Sequence, residues 1–322
     1  MILTSLAVQG NRFFLDWEIA LMEWLQANIS KGGIDLISQL SMFGEELLMI
    51  VIMGFFYWCY DKEFGKFIGL NFLAANVWNP MIKNVALRLR PYFCSDQIDL
   101  LRLVDTGADK FDVAAQGYSF PSGHSCGSAT VYGSTALCLK KKWMTVLAFL
   151  LPLLVGFSRV VVGAHFPTDV LAGWALGALV IFLIPWLKKK IKNRWLFYGV
   201  LILSALPGFF YCTSTDYFSA FGMLVGFVLA EPFEEKYVRF ENTRSPVRSV
   251  LRIVGGGAVY FGLNTLLKLP FPKELLNAGG FASNLIRTGR YAVVIFAVIA
   301  LYPMVFKLTA KIGKKKAAEE AA

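Results

Sequence analysis

Ser158-Arg159-Val160-Val161-Val162-Gly163-Ala164-His165-Phe166-Pro167-Thr168-Asp169 sets an arginine, a histidine and a carboxylate where one apolar run ends and the next begins. Charge is expensive at such a position, so each of these side chains needs a reason to be there. The chain has only two histidines in 322 residues. The other, His124, lies in Pro121-Ser122-Gly123-His124, which also opens an apolar run. If Pro167 opens a helix, His165 and Asp169 stand one turn apart. The carboxylate can then take a hydrogen bond from one imidazole nitrogen and leave the other free to attack. Arg159, His165 and Asp169 together read as an anion site carrying a nucleophile or base.

Apolar runs extend outward from this stretch, at 38–59, 65–87, 120–139, 144–163, 168–187, 196–212, 217–231, 249–268 and 290–308. Each approaches the ~20 residues that cross a bilayer, which predicts an all-α polytopic membrane bundle of about nine transmembrane helices. A hydrophobic content of 56% and a mean hydropathy of +0.55 exclude an ordinary soluble domain. Phe13–Ile29 mixes Trp17, Met22, Trp24 and Leu25 with Asp16, Glu18 and Glu23, the pattern of an interfacial helix. Met1–Gly10 is short and runs into charged, amphipathic sequence, so no cleavable signal peptide is read there.

The formal charge of +10 does not point to nucleic acid. The basic residues fall in short clusters between apolar runs, at Lys140–Lys142, Lys188–Lys192, Arg239–Arg248 and Lys314–Lys316. If the spans alternate, all four clusters share one side, which the positive-inside rule makes cytoplasmic. The N-terminus is then external, the C-terminus internal, and the polar stretches around His124 and His165 external. Five scattered cysteines lack metal-ligand spacing and read as packing residues.

Lys83 and Arg90 lie two helical turns apart near the end of the second run, with Pro91 marking its stop. Basic residues near span ends often snorkel to the interface, and Arg88 reads that way. Lys83 lies deeper, where a buried cation usually marks a ligand site. In Pro121-Ser122-Gly123-His124, proline suits a first helical turn, serine caps, and glycine lets a ligand approach amides that suit a phosphate. A plain helix start with an interfacial histidine would look the same. Two histidines and an aspartate could also ligate zinc, but Lys83, Arg90 and Arg159 would repel a cation and fit an anion. No metal or cofactor is expected.

The three segments Lys83-x6-Arg90-Pro91, Pro121-Ser122-Gly123-His124 and Ser158-Arg159-x5-His165-x3-Asp169 resemble, in order and spacing, the motifs of the type 2 phosphatidic acid phosphatase superfamily. That superfamily includes bacterial acid phosphatases, glucose-6-phosphatase and vanadium haloperoxidases. The resemblance implies a six-helix-type core over 38–187 and metal-free hydrolysis of a phosphate monoester or pyrophosphate. It implies His165 as nucleophile, Asp169 orienting it, and His124 as acid to the leaving group, then base to water. Lys83, Arg90, Arg159, Ser122 and the Gly123 amide would hold the phosphate oxygens.

Around that core the sequence divides into an external segment 1–37, additional helices over 188–308 and a basic cytoplasmic tail 309–322. The additional helices look like the layout of glucose-6-phosphatase and sphingosine-phosphate phosphatase, and packing, a homodimer surface or a lipid path are all open for them. A lipid phosphate, with membrane lipids around it, is the expected partner, in a bacterial cytoplasmic membrane with the site on the external face. A soluble sugar phosphate is the alternative substrate. A lipid-phosphate transporter is the alternative class, although it would not need the His165/Asp169 pair or His124. The loop Tyr92–Ser119, with Asp96, Asp99, Asp105, Asp109 and Asp112, reads either as a lid or as a solvated connection.

Overall fold

The computed structural model of the chain describes residues 10–102 and 107–307. Met1–Gln9, Asp105 and the lysines Lys314–Lys316 lie outside these. Among the described residues all regular structure is helical, apart from one bridge between Asn11 and Arg88. Before the site come α1 (Asp16–Asn28), α2 (Lys31–Gln39), α3 (Glu46–Phe55), α4 (Lys62–Ala86) and the short α5 (Val113–Gln116). The central helices are α6 (Gly123–Leu139), α7 (Lys142–Val161) and α8 (Pro167–Lys190). After them come α9 (Arg194–Ala205), α10 (Gly208–Tyr211), α11 (Thr215–Phe233), α12 (Pro246–Leu266), α13 (Lys273–Asn277) and α14 (Phe281–Phe296).

Every apolar run of the sequence lies on a helix, but not every helix is apolar throughout. Four helical stretches, Lys142–Val161, Pro167–Lys190, Arg194–Tyr211 and Phe281–Lys307, are long and apolar enough to cross a membrane. A fifth is the pair Lys31–Gly44 and Glu46–Tyr60, bent by 42°. The remaining helices carry polar residues turned inward. Asn71 of α4, for example, donates to Ser134 Oγ of α6 at 3.0 Å, with both side chains buried. Such bonds join helices where apolar attraction between them is weak.

Local chemistry fixes where the helices start and stop. Asp61 caps α4 by accepting from the Glu63 and Phe64 amides, and the helix ends at Leu87 in the left-handed region, at φ 50°. Ser122 caps α6 through the Ser125 amide, and Pro167 opens α8 as its first residue. The residues that begin α6 and α8 are those of the sequence motifs, so helix capping places them at one end of the bundle.

Glycines set the helix spacing there. A Cβ on Gly173 of α8 would lie 2.6 Å from the Ser122 carbonyl oxygen and 3.1 Å from the Cys126 amide nitrogen. One on Gly177 would lie 2.9 Å from the Cys126 carbonyl oxygen. The backbones of α6 and α8 therefore meet directly, one turn below the site. Gly222 and Gly226 of α11 meet the Thr288 and Ala292 backbone of α14 in the same way.

At the opposite end, buried Lys66 reaches Glu63 at 2.8 Å and Glu235 at 2.6 Å, and Arg194 reaches Glu235 at 2.6 Å. These pairs tie α4 to the start of α9 and to the end of α11. They place the described basic clusters at the end of the bundle away from the histidines.

Gly173→Leu should push α8 off α6 and lower turnover by about a hundredfold, the cost of misplacing a reacting group by about an ångström. Gly199→Leu on α9, where a Cβ meets nothing within 4 Å, should leave turnover unchanged. Phosphate release by the two purified variants measures the difference.

Candidate active site

Four chain segments converge at the end of the bundle where α6 and α8 begin. His165 comes from the turn between α7 and α8 and Asp169 from the first turn of α8, with both side chains buried. The Nδ1 of His165 and the Oδ2 of Asp169 stand 3.7 Å apart, too far for the direct hydrogen bond that the spacing predicts. Ser119 takes that place. Its hydroxyl donates to Asp169 Oδ2 at 2.5 Å and lies 3.4 Å from His165 Nδ1. The Phe166 amide also donates to Oδ2, at 2.7 Å, so that oxygen is already held by two donors.

The other carboxylate oxygen belongs to Arg88. Its guanidinium donates to Asp169 Oδ1 at 2.6 Å, to Thr168 Oγ1 at 2.7 Å, to Glu18 Oε2 at 2.8 Å and to the Phe13 carbonyl at 2.8 Å. Arg88 is 2% exposed and lies 4.0 Å from the centre of the Phe166 ring. It is thus not the snorkelling residue the sequence suggests. Extended backbone from Arg88 to Arg90, paired with Asn11, turns it inward to a carboxylate from each side. Glu18 in turn accepts from the Thr168 amide and hydroxyl, at 3.0 and 2.7 Å. Helix α1 docks through Met22 and Leu25 on Val160, Val161 and Phe166, and so delivers Glu18 to this network.

Lys83, Arg90 and Arg159 stand apart from these carboxylates. Arg90 donates to three carbonyl groups, of Gln116 at 2.5 Å, Gly117 at 2.9 Å and Ala164 at 2.8 Å. Lys83 donates to the Tyr118 carbonyl at 2.9 Å. Arg159 is 2% exposed, and among the described residues its side chain has no hydrogen-bond or ion-pair partner, its Nε being buried. The end 116–119 of the loop 92–119 is thus bonded to Arg90, Lys83 and Asp169. Its middle is bonded too, with the Leu101 amide donating to the Val162 carbonyl at 3.0 Å.

Ser122 is buried with its hydroxyl accepting from Ser125 Oγ at 2.9 Å, while Gly123 is exposed at the first turn of α6. His124 follows it, within electrostatic reach of Arg159, His165, Lys83 and Arg90. All eight residues expected from the sequence therefore lie at one end of the bundle. Two buried arginines and the half-buried Lys83, with carbonyl partners or none among the described residues, make a cradle for a multiply charged anion. Among the described residues no group of three or more histidine, cysteine, aspartate or glutamate side chains could hold a metal ion.

Residues 65–193 match the PAP2 superfamily, the type 2 phosphatidic acid phosphatases. Residues 218–315 match the transmembrane extension of PAP2 superfamily phosphatases. Phosphatidylglycerophosphatase B of Bacillus subtilis is 35% identical over 157 residues, which span 46% of this chain and 70% of that protein. The chain belongs to the PAP2 superfamily.

An undecaprenyl-diphosphatase of Sulfolobus acidocaldarius is 34% identical over 146 residues, 45% of this chain and 65% of that protein. The crystal structure of a transmembrane PAP2-type phosphatidylglycerolphosphate phosphatase from Bacillus subtilis superposes with a TM-score of 0.43 at 28% identity. It covers 55% of this chain and 87% of that one. The chain is accordingly an integral membrane phosphatase of the PAP2 superfamily, with the extension following its core.

Within this PAP2 site, burial, then Arg90, Lys83 and Arg159, hold the His165 imidazole well below the usual histidine range. It is therefore neutral at physiological pH, the form that can attack. Sequence reasoning missed Glu18, Arg88, Ser119 and Thr168. One signal was present: Glu18, Met22 and Leu25 share a helix face, so an acid sits on the side that packs.

Arg88→Met leaves two carboxylates buried without their cation, and we expect a loss of about 3–5 kcal/mol of stability. Glu18→Gln should cost less. Combining them in a thermal-denaturation cycle should give a coupling above about 0.5 kcal/mol. Simple additivity would show that the two residues do not act through one network.

Proposed function

We propose that this PAP2 phosphatase hydrolyses the phosphate of a membrane lipid through a phosphohistidine, without a metal ion, at the external face of a bacterial cytoplasmic membrane. The observation that carries this reading is the trio Lys83, Arg90 and Arg159, the two arginines buried and none with a carboxylate partner among the described residues, beside a neutral imidazole. A phosphate dianion supplies the missing charge. The activities of the relatives, on phosphatidylglycerophosphate and undecaprenyl diphosphate, support a lipid as its carrier.

In the proposed sequence His165 Nε2 attacks phosphorus while Nδ1–H faces the Ser119 hydroxyl, which Asp169 holds. The P–O bond to the lipid breaks, and His124 gives its proton to the leaving oxygen. Neutral His124 then takes a proton from water, which attacks the phosphohistidine. The P–N bond breaks, inorganic phosphate leaves, and His165 is neutral again. Lys83, Arg90 and Arg159, with the Ser122 hydroxyl and the Gly123 amide, stabilise the equatorial oxygens. Arg88, through Asp169, keeps His165 in the attacking orientation.

Nine transmembrane helices, with a six-helix-type phosphatase core over 38–187 and additional helices over 188–308, are part of this proposal. The polar inner faces of α4 and α6 account for their low overall hydropathy. The basic clusters at the end opposite the histidines support an external site.

Purified protein should release phosphate from a lipid phosphate in the presence of EDTA, and His165→Ala should lower that rate by several orders of magnitude. Denaturing quench of the parent should trap an acid-labile phosphoenzyme. Activity that needs added zinc or magnesium, or a variant within about tenfold of the parent, would end the mechanism.

For sidedness, Asp96→Cys and Lys189→Cys are made in a background without the native cysteines; both positions are exposed. An impermeant maleimide should label the first in intact cells and the second only after lysis. The reverse pattern would place the site in the cytoplasm.

A further inference from the structure

Lys268, Arg287 and Arg290 belong neither to the motifs nor to the four basic clusters of the sequence. They stand on the extension, where α12 ends and α14 begins, at the end of the bundle that holds the histidines. Hydrogen bonds fix that placement. Asn84, next to Lys83, accepts from the Thr213 amide at 2.9 Å and donates to Ser214 Oγ at 2.9 Å, which seats the start of α11 beside the cradle. One turn into α11, the Phe218 carbonyl accepts from Thr288 Oγ1 at 3.2 Å, and Thr288 follows Arg287 directly.

Arg287 and Arg290 lie one helical turn apart on α14. Arg290 is 7% exposed, and its Nε donates to Asn264 Oδ1 of α12 at 2.9 Å. Lys268 comes one turn after Asn264 and is within electrostatic reach of both arginines. Arg287 and Lys268 are half-buried and have no hydrogen-bond or ion-pair partner among the described residues. No carboxylate there pairs with any of the three. Asp216, exposed at the start of α11, is within electrostatic reach of Arg287 and of Lys83 but pairs with neither.

Snorkelling accounts for a cation whose head reaches the interface, and so for Lys268 taken alone. It does not account for Arg290, which is buried against Asn264. The positive-inside pattern gives no reason for the trio either, since its end of the bundle is opposite the basic clusters. At ~1.5 Å per residue, Arg287 and Arg290 lie roughly 9 Å and roughly 14 Å along α14 from Phe281. Leu266, Leu269, Phe281 and Leu285 beside them are each more than half exposed. The cations are therefore approached across apolar surface. An amphiphile can bring a negative charge there with its chains already in lipid, and basic pockets between membrane helices suit such headgroups.

We propose that Lys268, Arg287 and Arg290 bind the phosphate group of an anionic membrane lipid, at a site separate from the catalytic cradle. The trio contains no histidine, so the lipid is held rather than hydrolysed. Its phosphate bridges the end of α12 to α14. Helix α14 in turn packs on α11 through Gly222 and Gly226, and the start of α11 is bonded beside Lys83.

The test follows the melting temperature of the purified protein in detergent as phosphatidylglycerol, a singly charged phosphodiester, is titrated in. Zwitterionic phosphatidylcholine and inorganic phosphate form separate arms. Phosphatidylglycerol should raise the melting temperature and phosphatidylcholine should not. Arg287→Gln and Lys268→Gln each keep the Arg290–Asn264 bond. Each should weaken the apparent affinity for phosphatidylglycerol about fivefold, the usual worth of one basic residue at a lipid surface. Lys189→Gln, at an exposed position of a basic cluster at the other end, should leave it as in the parent. Equal stabilisation by both lipids, variants that keep the parent's affinity, or an equal loss in Lys189→Gln would overturn the proposal. A phosphate effect that falls in Arg287→Gln and Lys268→Gln as the lipid effect does would replace the lipid by a soluble anion. A phosphate effect that survives both belongs to the cradle and supports two sites. If either variant does not fold, the other decides. No step involves turnover, so the proposed function does not stand or fall with the result.

Discussion

Arg88 is held between two carboxylates from distant parts of the chain, and the geometry of the active end follows from that arrangement. An unpaired carboxylate at the position of Asp169 would be too costly to keep ionised in an apolar bundle. Arg88 removes that cost and fixes the oxygen that Ser119 and the Phe166 amide do not hold. Glu18 balances the second half of the guanidinium. Because Glu18 belongs to α1, the N-terminal helix is tied to Asp169. The other cations are treated differently: Arg90 and Lys83 lean on carbonyl groups, which satisfy donors without cancelling charge.

Much of the site was legible because membrane sequence makes polar residues conspicuous. Lys83, Arg90, His124, Arg159, His165 and Asp169 stand out where apolar runs end, and their spacing carries the family likeness. Glu18 was hidden because its partner lies 70 residues away and the contact exists only once α1 has docked. Ser119 was hidden because a serine beside a loop has many uses. The direct His165–Asp169 bond expected from one helical turn gives way to Ser119, since Phe166 and Arg88 claim the carboxylate from other sides.

The helices themselves were legible, their membrane character less so. A hydropathy window averages over a whole helix. It therefore undervalues α4, whose Asn71, Asn79 and Lys66 are buried against neighbours, and α6, whose Ser128, Thr130 and Ser134 face α4 and α8. What counts for burial in lipid is the outward face alone. The extension packs on the core by two means, the contact of α11 with α4, where a Cβ on Gly69 would lie 3.6 Å from the Phe227 ring, and the Lys66 network. These place a second layer of helices beside α4 rather than beyond it.

The guanidinium of Arg159, without a partner among the described residues, also bears on how the folded state is sustained. A cluster of like charges in a low-dielectric end repels itself, so part of the folding free energy is withheld until an anion arrives. Inorganic phosphate, the common product of every substrate considered, is such an anion. By mass action, phosphate at a hundred times its dissociation constant would add about 2.7 kcal/mol to the stability of the fold. On the proposed mechanism the enzyme would in this sense be a receptor for its own product, and its durability in the membrane would be linked to the phosphate content of the compartment it faces.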